Sequence, residues 1–248
     1  MNIDRRTLML GLAGAGLIGP QSLARGESQE VPTTPDPSLY IPRAHLVEDR
    51  AFLHDFMDEY AFVDLVTATP TLRITHIPVV LDRTTGRFGA ILGHVSAQNP
   101  QDTAFDGVHP AIVVFRGPHS YISPMWYAKS DVVPTWNFAV VHASGRPHAL
   151  TDVSETHALL SRLIAKFEAK TGSGYDFSKL PDGYISPLMQ RITPFRMEIE
   201  ALEGKFKLGQ ERPDGDRQGV LEHLRTGSYR ERSLHDLTDE FYRRDAER

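Results

Sequence analysis

The chain has 248 residues, of which 40% are hydrophobic and 24% charged, proportions that are ordinary for a soluble globular protein. Its formal net charge of −5 excludes a global positive field of the kind that draws proteins onto nucleic acid or anionic membranes. The absence of cysteine excludes disulfides, thiolate catalysis, cysteine-ligated zinc and iron–sulfur clusters.

The N-terminus has the segment order of a secretory signal. A twin-arginine pair, Arg5 and Arg6, precedes an apolar run from Leu8 to Ile18, and a small-x-small cleavage site ends at Ala24. This order predicts a Tat-type signal peptide over residues 1–24 and export to the periplasm or beyond. The alternative is a chance arginine pair before a short anchor, although the apolar run is too short for a stable membrane span.

The first part of the mature chain combines a linker, a helix and several strands. Residues 25–38 are polar and rich in proline, which predicts a disordered linker. The spacing of Phe52, Phe56 and Met57 predicts a helix over Glu48–Tyr60. Six runs typical of β-strands follow, most of them bounded by turn residues. They are Ala61–Ala68, Leu72–Leu81, Arg87–Val95, Ala111–Phe115, Thr135–His142 and Phe195–Lys207.

Between the last two of these strands, Ser144–Arg146 is predicted to be a hairpin turn into a short strand, Pro147–Leu150. The clearest helix is predicted over Thr151–Lys170, because leucines and other apolar residues recur on one face. Asp214–Leu224 is expected to form a short helix, and Ser233–Arg248 a charged helix or a frayed tail.

Antiparallel strands with tight turns and few helices between them favour a small β-barrel over a doubly wound sheet. We therefore expect one mainly-β domain with flanking helices over residues 39–225, followed by a charged C-terminal helix or tail over residues 226–248.

Aromatic residues are concentrated between Phe115 and His142. Both tryptophans of the chain, Trp126 and Trp136, lie there together with Tyr127. Aromatic rings held by nearby prolines suit the binding of a planar heterocycle. A well-packed aromatic core is the alternative.

Polar residues follow two neighbouring predicted strands. In Leu72–Pro78, Arg73 and Thr75 fall on one face, so they could reach one phosphate together, whereas His76 falls on the other face. Gly93–Gln101 supplies further polar groups, which are His94, Ser96, Gln98 and Asn99. A hydrogen-bonded structural histidine is the alternative interpretation of His76 and of His94.

Several motifs occur together and in order. They are YIPRAH (Tyr40–His45), THIP (Thr75–Pro78), GHVSAQNPQ (Gly93–Gln101), FRGPHSYISPMWY (Phe115–Tyr127), VPTWNF (Val133–Phe138), KFKLGQ (Lys205–Gln210) and DRQGV (Asp216–Val220). With these motifs, which extend over Tyr40–Leu224, the chain resembles the PaiB-like family of FMN-binding proteins.

The resemblance implies an FMN-binding split β-barrel that is normally a homodimer with the flavin at the subunit interface. It nominates as flavin contacts Arg73, Thr75, His76, His94, Ser96 and Asn99. It further implies that Trp126, Tyr127 and Trp136 close over the flavin ring. Its second-rank candidates are Lys205, Lys207, Gln210 and Arg217. The family pattern has serine and asparagine at the positions of Gly209 and Glu211. The contribution of this last group to the ligand site is therefore the most open to alteration.

The predicted export and the flavin that the resemblance implies together favour an FMN-dependent redox protein of unknown substrate. A haem-binding protein on the same barrel is one alternative, with His94, His119 or His142 as axial ligand, and a barrel without ligand is another. The family is also described as one of negative transcriptional regulators. However, no helix-turn-helix pattern or basic stripe is visible, so no nucleic acid partner is expected. No metal site or catalytic acid–base pair can be named from the sequence.

Overall fold

The computed structural model describes residues 37–128 and 132–247. Its strands are β1 (Leu46–Val47), β2 (Phe62–Thr67), β3 (Arg73–Asp82), β4 (Ala90–Ser96), β5 (Ala111–Ile122), β6 (Thr135–Ala149) and β7 (Ile192–Lys207). Its α-helices are α1 (Arg50–Glu59), α2 (Val153–Thr171), α3 (Asp182–Met189), α4 (Asp214–Thr226) and α5 (Tyr229–Ala246). Short 3-10 turns occur at Arg43–His45, Pro100–Ala104, Pro124–Trp126 and Phe177–Lys179.

Six strands close into an antiparallel barrel. The order across the sheet is β7-β4-β3-β2-β5-β6, and β6 also pairs with β7, which closes the ring. The short β1 pairs with the C-terminal half of β7. This architecture confirms the predicted mainly-β barrel with flanking helices.

The alternation of side chains along each strand separates an inner from an outer face of the barrel. Inner residues such as Leu65, Val79 and Phe195 belong to one continuous core. On the outer face, β3 and β4 are covered by α2 through a separate small cluster that joins Val80 to Leu163. Helices α1, α4 and α5 contribute to the main core. Their buried residues there include Phe52, Leu53, Phe56, Met57, Val220, Leu224, Leu234 and Leu237.

The predicted hairpin turn at Ser144–Arg146 is wrong. β6 runs without a turn from Thr135 to Ala149 and has only a register shift between Ser144 and Gly145. A β-carbon at Gly145 would lie 2.2 Å from the carbonyl oxygen of Glu198 on β7. The glycine therefore permits a close approach of two strands, which is the other common reason for glycine within a strand.

Two further elements differ from the sequence prediction. β5 continues to Ile122 and accommodates Pro118 at an irregularity between Arg116 and His119, so part of the aromatic stretch is strand. α3 was not predicted. Of the two forms predicted for Ser233–Arg248, a charged helix or a frayed tail, the structure has the helix, which begins earlier, at Tyr229. Ser228 and Glu231 form a capping box, and α5 buries apolar residues.

The predicted signal peptide and residues 25–36 of the predicted linker lie outside the described residues. Ser38, at the end of that predicted linker, is held to the barrel. Its hydroxyl donates to Glu203 Oε2 at 2.6 Å and lies 3.0 Å from His142 Nδ1. Within the described ranges, no helix is both long and apolar enough to cross a membrane.

Candidate functional site

A polar cluster occupies the inner face at the start of β3. We call Thr67, Arg73, Thr75, Asn99 and Gln101 the barrel-end cluster. Asn99 Nδ2 donates to Thr75 Oγ1 at 2.9 Å, and this hydroxyl donates to Gln101 Oε1 at 2.5 Å. Gln101, which is fully buried, donates from Nε2 to the carbonyl oxygen of Leu65 on β2 at 3.0 Å. The turn after β4 is thereby fixed against β2 and β3.

Two buried polar atoms of the barrel-end cluster have no hydrogen-bond partner in the described part of the chain. They are Nη1 of Arg73 and Oγ1 of Thr67. The two residues are directly opposite each other on β3 and β2, so their side chains share the inner face. An unpaired buried polar group costs about 1–3 kcal/mol, more if it is charged. A guanidinium beside a hydroxyl is a donor set that suits phosphate oxygens, so these residues fit the phosphate of FMN.

His76 lies on the opposite face of β3 from Arg73 and Thr75, as predicted from strand alternation. Its Nδ1 is 2.5 Å from Asp64 Oδ1 on β2. Arg116 on β5 contacts the other carboxylate oxygen of Asp64, with Nε 3.0 Å from Oδ2. We call these three residues the outer-face triad.

His94 and Ser96 also lie on the outer face, away from the inner-face residues Arg73 and Thr75. His94 borders an open pocket of about 330 Å³ between the sheet and α2. Its Nδ1 is buried without a partner among the described residues, and burial lowers the pKa of the imidazole. Ser96 is exposed and accepts a hydrogen bond from the backbone of Gln98 at 3.3 Å.

The three aromatic residues expected to cover a flavin lie in two places. Trp136 is half-exposed on the outer face, with His119 at 5.6 Å and Tyr121 at 6.3 Å between ring centroids. Trp126 instead stacks on His223 of α4, with centroids 5.2 Å apart. Tyr127 is buried, which raises the pKa of its phenol, and the guanidinium of Arg212 lies 4.8 Å from its ring centroid.

The second-rank candidates are engaged within the chain. Lys205 Nζ donates to the carbonyl oxygen of Tyr40 at 2.8 Å, and Lys207 Nζ donates to the hydroxyl of Thr135. Gln210 stabilises the turn after β7: its Nε2 donates to the Phe206 carbonyl at 2.6 Å, and its Oε1 accepts from the Leu208 amide at 2.8 Å. Arg217 pairs with Asp214 and lies over the ring of Tyr242.

Sequence reasoning therefore placed Arg73, Thr75 and Asn99 together correctly but missed several neighbours. Thr67, Gln101, Asp64 and Arg116 were not nominated. Thr67 and Asp64 come into contact with β3 only through the β2–β3 register, and Arg116 approaches through the β2–β5 pairing. The motif GHVSAQNPQ did contain Gln101, which was the one available signal.

Apolar residues surround the outer-face triad. We call Phe62, Val66, Ile74, Ile112 and Val114 the apolar outer face. Phe62 is 69% exposed and Ile74 56% exposed, and the remaining three are half-buried. Large exposed apolar patches are common at interaction sites.

Comparison of the chain with known proteins identifies its family. A family model described as "Putative FMN-binding domain" matches residues 39–201. The Bacillus subtilis protein named "Protease synthase and sporulation protein PAI 2" is 30% identical over 187 residues, which cover 75% of this chain and 89% of that protein. An uncharacterized protein of Aspergillus fumigatus is 31% identical over 234 residues, with coverage of 74% and 90%.

Solved structures share the fold at low sequence identity. The flavocytochrome Anf3 from Azotobacter vinelandii has a TM-score of 0.54 and 12% identity, with coverage of 75% of this chain and 81% of that chain. A conserved hypothetical protein from Mycobacterium tuberculosis has a TM-score of 0.51 and 12% identity, with coverage of 75% and 97%.

Proposed function

Because the chain belongs to the PaiB-like family, whose model describes an FMN-binding domain, we propose that it binds FMN and acts as a flavin-dependent redox protein. The observation that carries the proposal is that, in the part of the chain that the structure describes, Nη1 of Arg73 and the hydroxyl of Thr67 opposite it both lack a hydrogen-bond partner. Two buried donors without partners among the described residues cost the protein stability, and an anion between them would remove that cost.

In this proposal, Arg73 and Thr67 donate to the phosphate of FMN. Thr75 and Asn99 hold the neighbouring turn in place through their hydrogen bond of 2.9 Å. When bound, FMN supplies one- and two-electron chemistry, and the protein supplies its orientation and electrostatic surroundings. Phosphate contacts from two paired strands would hold the cofactor on a rigid part of the sheet.

We also propose that a second copy of the chain covers the apolar outer face. The supporting observation is the exposure of Phe62 and Ile74 on a sheet face that no helix of the described chain covers at that point. Pairing two such faces would remove apolar area from water, which is the main driving force of association. A homodimer is also what the family resemblance implies.

We further propose that the protein is exported with its cofactor already bound. The support is the twin-arginine signal pattern, because the Tat route carries folded proteins. DNA binding is not part of the proposal, since a net charge of −5 and the lack of a basic stripe disfavour it.

A haem-binding function is the second candidate, and His94 is the observation that favours it. Its buried Nδ1 has no partner within residues 37–128 and 132–247, and it lies beside a pocket lined by Leu160, Leu163 and Phe167. By contrast, Nδ1 of His142 already contacts the hydroxyl of Ser38, and His119 packs against Trp136. A Soret band on haem titration that is lost in His94→Ala and kept in His119→Ala would support this candidate.

The decisive experiment is an absorbance spectrum of the purified full-length protein, followed by titration of apoprotein with FMN. We expect flavin absorbance, release of fluorescent FMN on denaturation, and one FMN bound per chain. Riboflavin, which lacks the phosphate, should bind much more weakly. Apoprotein that is folded by circular dichroism but neither binds FMN nor distinguishes it from riboflavin would refute the proposal.

A further inference from the structure

We propose that Gln101 is a positioning residue of the phosphate site, and that its buried amide leaves a side-chain N–H of Asn99 free to donate to the ligand. The inference rests on the proposed flavin function. It adds a third donor to the barrel-end cluster and assigns the ligand to the phosphate monoesters, the chemical class of FMN. It is carried by the hydrogen bonds that join Gln101, Thr75 and Asn99.

The side-chain amide of Gln101 can take only one orientation. Its Nε2 lies 3.0 Å from the carbonyl oxygen of Leu65 and 3.4 Å from that of Arg73. Carbonyl oxygens only accept hydrogen bonds, so the nitrogen of the amide must face them. A reversed amide would bring three acceptor oxygens together at a fully buried position. Oε1 of Gln101 therefore faces Thr75.

The hydroxyl of Thr75 lies between two amides. An amide oxygen only accepts, so the contact of 2.5 Å with Gln101 Oε1 uses the one hydrogen of this hydroxyl. Thr75 Oγ1 in turn accepts from Asn99 Nδ2 at 2.9 Å. The family resemblance nominated Thr75 as a flavin contact, but its hydroxyl has no hydrogen left to donate to a phosphate oxygen.

The orientation of Asn99 is fixed by a second contact. Its Oδ1 accepts from the backbone N–H of Gln101 at 3.0 Å, so its Nδ2 is the atom beside Thr75. Nδ2 carries two hydrogens. One is donated to Thr75, and the other makes no hydrogen bond within the described residues. Asn99 thus offers a ligand one N–H, and the direction of that N–H depends on the amide of Gln101.

Three donors of the barrel-end cluster have no partner in the described part of the chain. They are Nη1 of Arg73, the hydroxyl of Thr67 and the second hydrogen of Asn99 Nδ2. Thr67 is directly opposite Arg73, and Thr75, which holds Asn99, is two residues or about 7 Å further along the same face of β3. A terminal phosphate presents three unsubstituted oxygens to these donors, whereas each phosphate within a diphosphate bridge presents two. The donor set therefore selects a phosphate monoester.

The first test separates this positioning role from the structural role of Gln101 in the turn after β4. Apoprotein is titrated with FMN and with riboflavin, and flavin fluorescence is measured. We expect Gln101→Met to weaken FMN binding by about 10-fold or more and riboflavin binding by less than about 2-fold. Gln190→Met, at an exposed residue just before β7, should change neither affinity. Equal losses for FMN and riboflavin would mean that Gln101 only supports the turn, which would overturn the proposal.

Asn99→Asp keeps the cap and removes the donor, so it remains informative if Gln101→Met does not fold. Aspartate accepts the backbone hydrogen bond of Gln101 as asparagine does, but it has no N–H and it repels a phosphate. We expect FMN affinity to fall by about 100-fold, with riboflavin affinity nearly unchanged. Wild-type protein should also bind FAD more weakly than FMN. Wild-type FMN affinity in Asn99→Asp, or equal affinity of wild type for FMN and FAD, would contradict the assignment.

A double-mutant cycle tests whether Thr75 acts through Gln101. If the hydroxyl of Thr75 only relays the orientation of the amide, the losses of FMN affinity in Thr75→Val and Gln101→Met should not add. The double variant should then bind FMN about as well as the weaker single variant. Fully additive losses would mean that Thr75 contacts the phosphate by itself, which is incompatible with the proposal.

The last test needs no flavin. Full-length apoprotein labelled with ¹⁵N is titrated with inorganic phosphate, and the side-chain amide resonances of Asn99 are followed by nuclear magnetic resonance. We expect them to shift in wild type and to stay unchanged in Arg73→Met, which lacks the positive charge. The absence of a phosphate-dependent shift in wild type would overturn the inference, whether or not the protein binds FMN. A wild type that shows this shift but binds FMN no better than riboflavin would instead refute the proposed function.

Discussion

Gly145 of β6 lies against Glu198 of β7 so closely that a β-carbon at Gly145 would meet the Glu198 carbonyl oxygen at 2.2 Å. Gly145→Ala should therefore push apart the two strands that close the barrel, and we expect a loss of about 1–3 kcal/mol of unfolding free energy, as for an overpacked site. Urea unfolding followed by circular dichroism measures the effect. Gly183→Ala is the control, because a β-carbon there has no neighbour within 4 Å. Equal stability of the two variants would contradict this account of the closure.

The substitution Arg73→Met tests separately how the barrel-end cluster affects stability and how it affects FMN binding. Without ligand, the substitution removes a buried donor that finds no partner in the described ranges, so the free energy of unfolding should stay the same or rise by up to about 1 kcal/mol. The affinity for FMN should fall about 10- to 100-fold, because a charge-assisted contact to phosphate is lost. Thermal unfolding of apoprotein and a fluorescence titration with FMN check the two parts. Arg146→Met, which removes an exposed ion pair with Glu200, is expected to leave FMN binding unchanged.

A charge on the apolar outer face should disrupt the proposed dimer. Phe62 is 69% exposed in the single chain, so Phe62→Glu costs the monomer little but would place an unpaired charge in the interface. We expect sedimentation equilibrium to show a dimer for wild type and a monomer for the variant. Val153→Glu is matched in exposure, at 71%, and lies on α2 away from this face. If both variants sediment like wild type, the second copy does not bind there.

Asp82 should make stability depend on pH. Hydrogen bonds from Thr84, together with those from Thr85 and Arg196, hold the pKa of this carboxyl well below its ordinary value of 3.8. A group whose pKa is depressed by folding stabilises the protein above the unfolded-state pKa, and this contribution is lost as the pH falls through the folded-state value.

For Asp82→Asn, we accordingly expect the free energy of unfolding to be lower than that of wild type by about 1–3 kcal/mol at pH 7. This difference should shrink below about pH 4. Urea unfolding at several pH values measures this difference. Asp239→Asn, at an exposed helix pair with Arg243, should change stability by less than about 0.5 kcal/mol throughout. A difference for Asp82→Asn that persists unchanged at pH 3 would rule out ionisation as its cause.

The last helix is expected to be part of the core. Leu234 on α5 is fully buried in the main hydrophobic cluster, so Leu234→Ala should lower the free energy of unfolding by about 2–5 kcal/mol. Tyr229→Ala, at the exposed first turn of α5, should cost little, since Tyr229 is 80% exposed. Differential scanning calorimetry of the two variants tests this. Equal melting temperatures would mean that α5 folds independently of the barrel.

The sequence predicted the elements whose pattern is local. The alternation in Leu72–Pro78 correctly separated Arg73 and Thr75 from His76, because strand alternation needs no knowledge of partners. The capped helix α2 was also found close to its observed bounds. Family motifs, rather than periodicity, indicated the resemblance to a family of FMN-binding proteins.

What the sequence could not predict depends on pairing between distant segments. Asp64 is an ordinary polar residue until the β2–β3 register places it opposite His76. Gly145 resembles a turn residue in the sequence, because tight turns and close contacts between strands both favour glycine. Trp126 and Trp136, near each other in the chain, separate because one packs on α4 and the other stays on the sheet.

Closure of the barrel also has a consequence for how the protein is made. Leu46 of β1 pairs with Lys205 of β7, and β7 fills the gap between β4 and β6. No ribosome-bound fragment that lacks β7 can close the ring, and α5 reaches the core only afterwards. Contacts between such distant segments slow folding, so the barrel should form only once β7 has been synthesised. Any cofactor that needs the closed barrel can then bind only after β7 has been synthesised and paired with both β4 and β6.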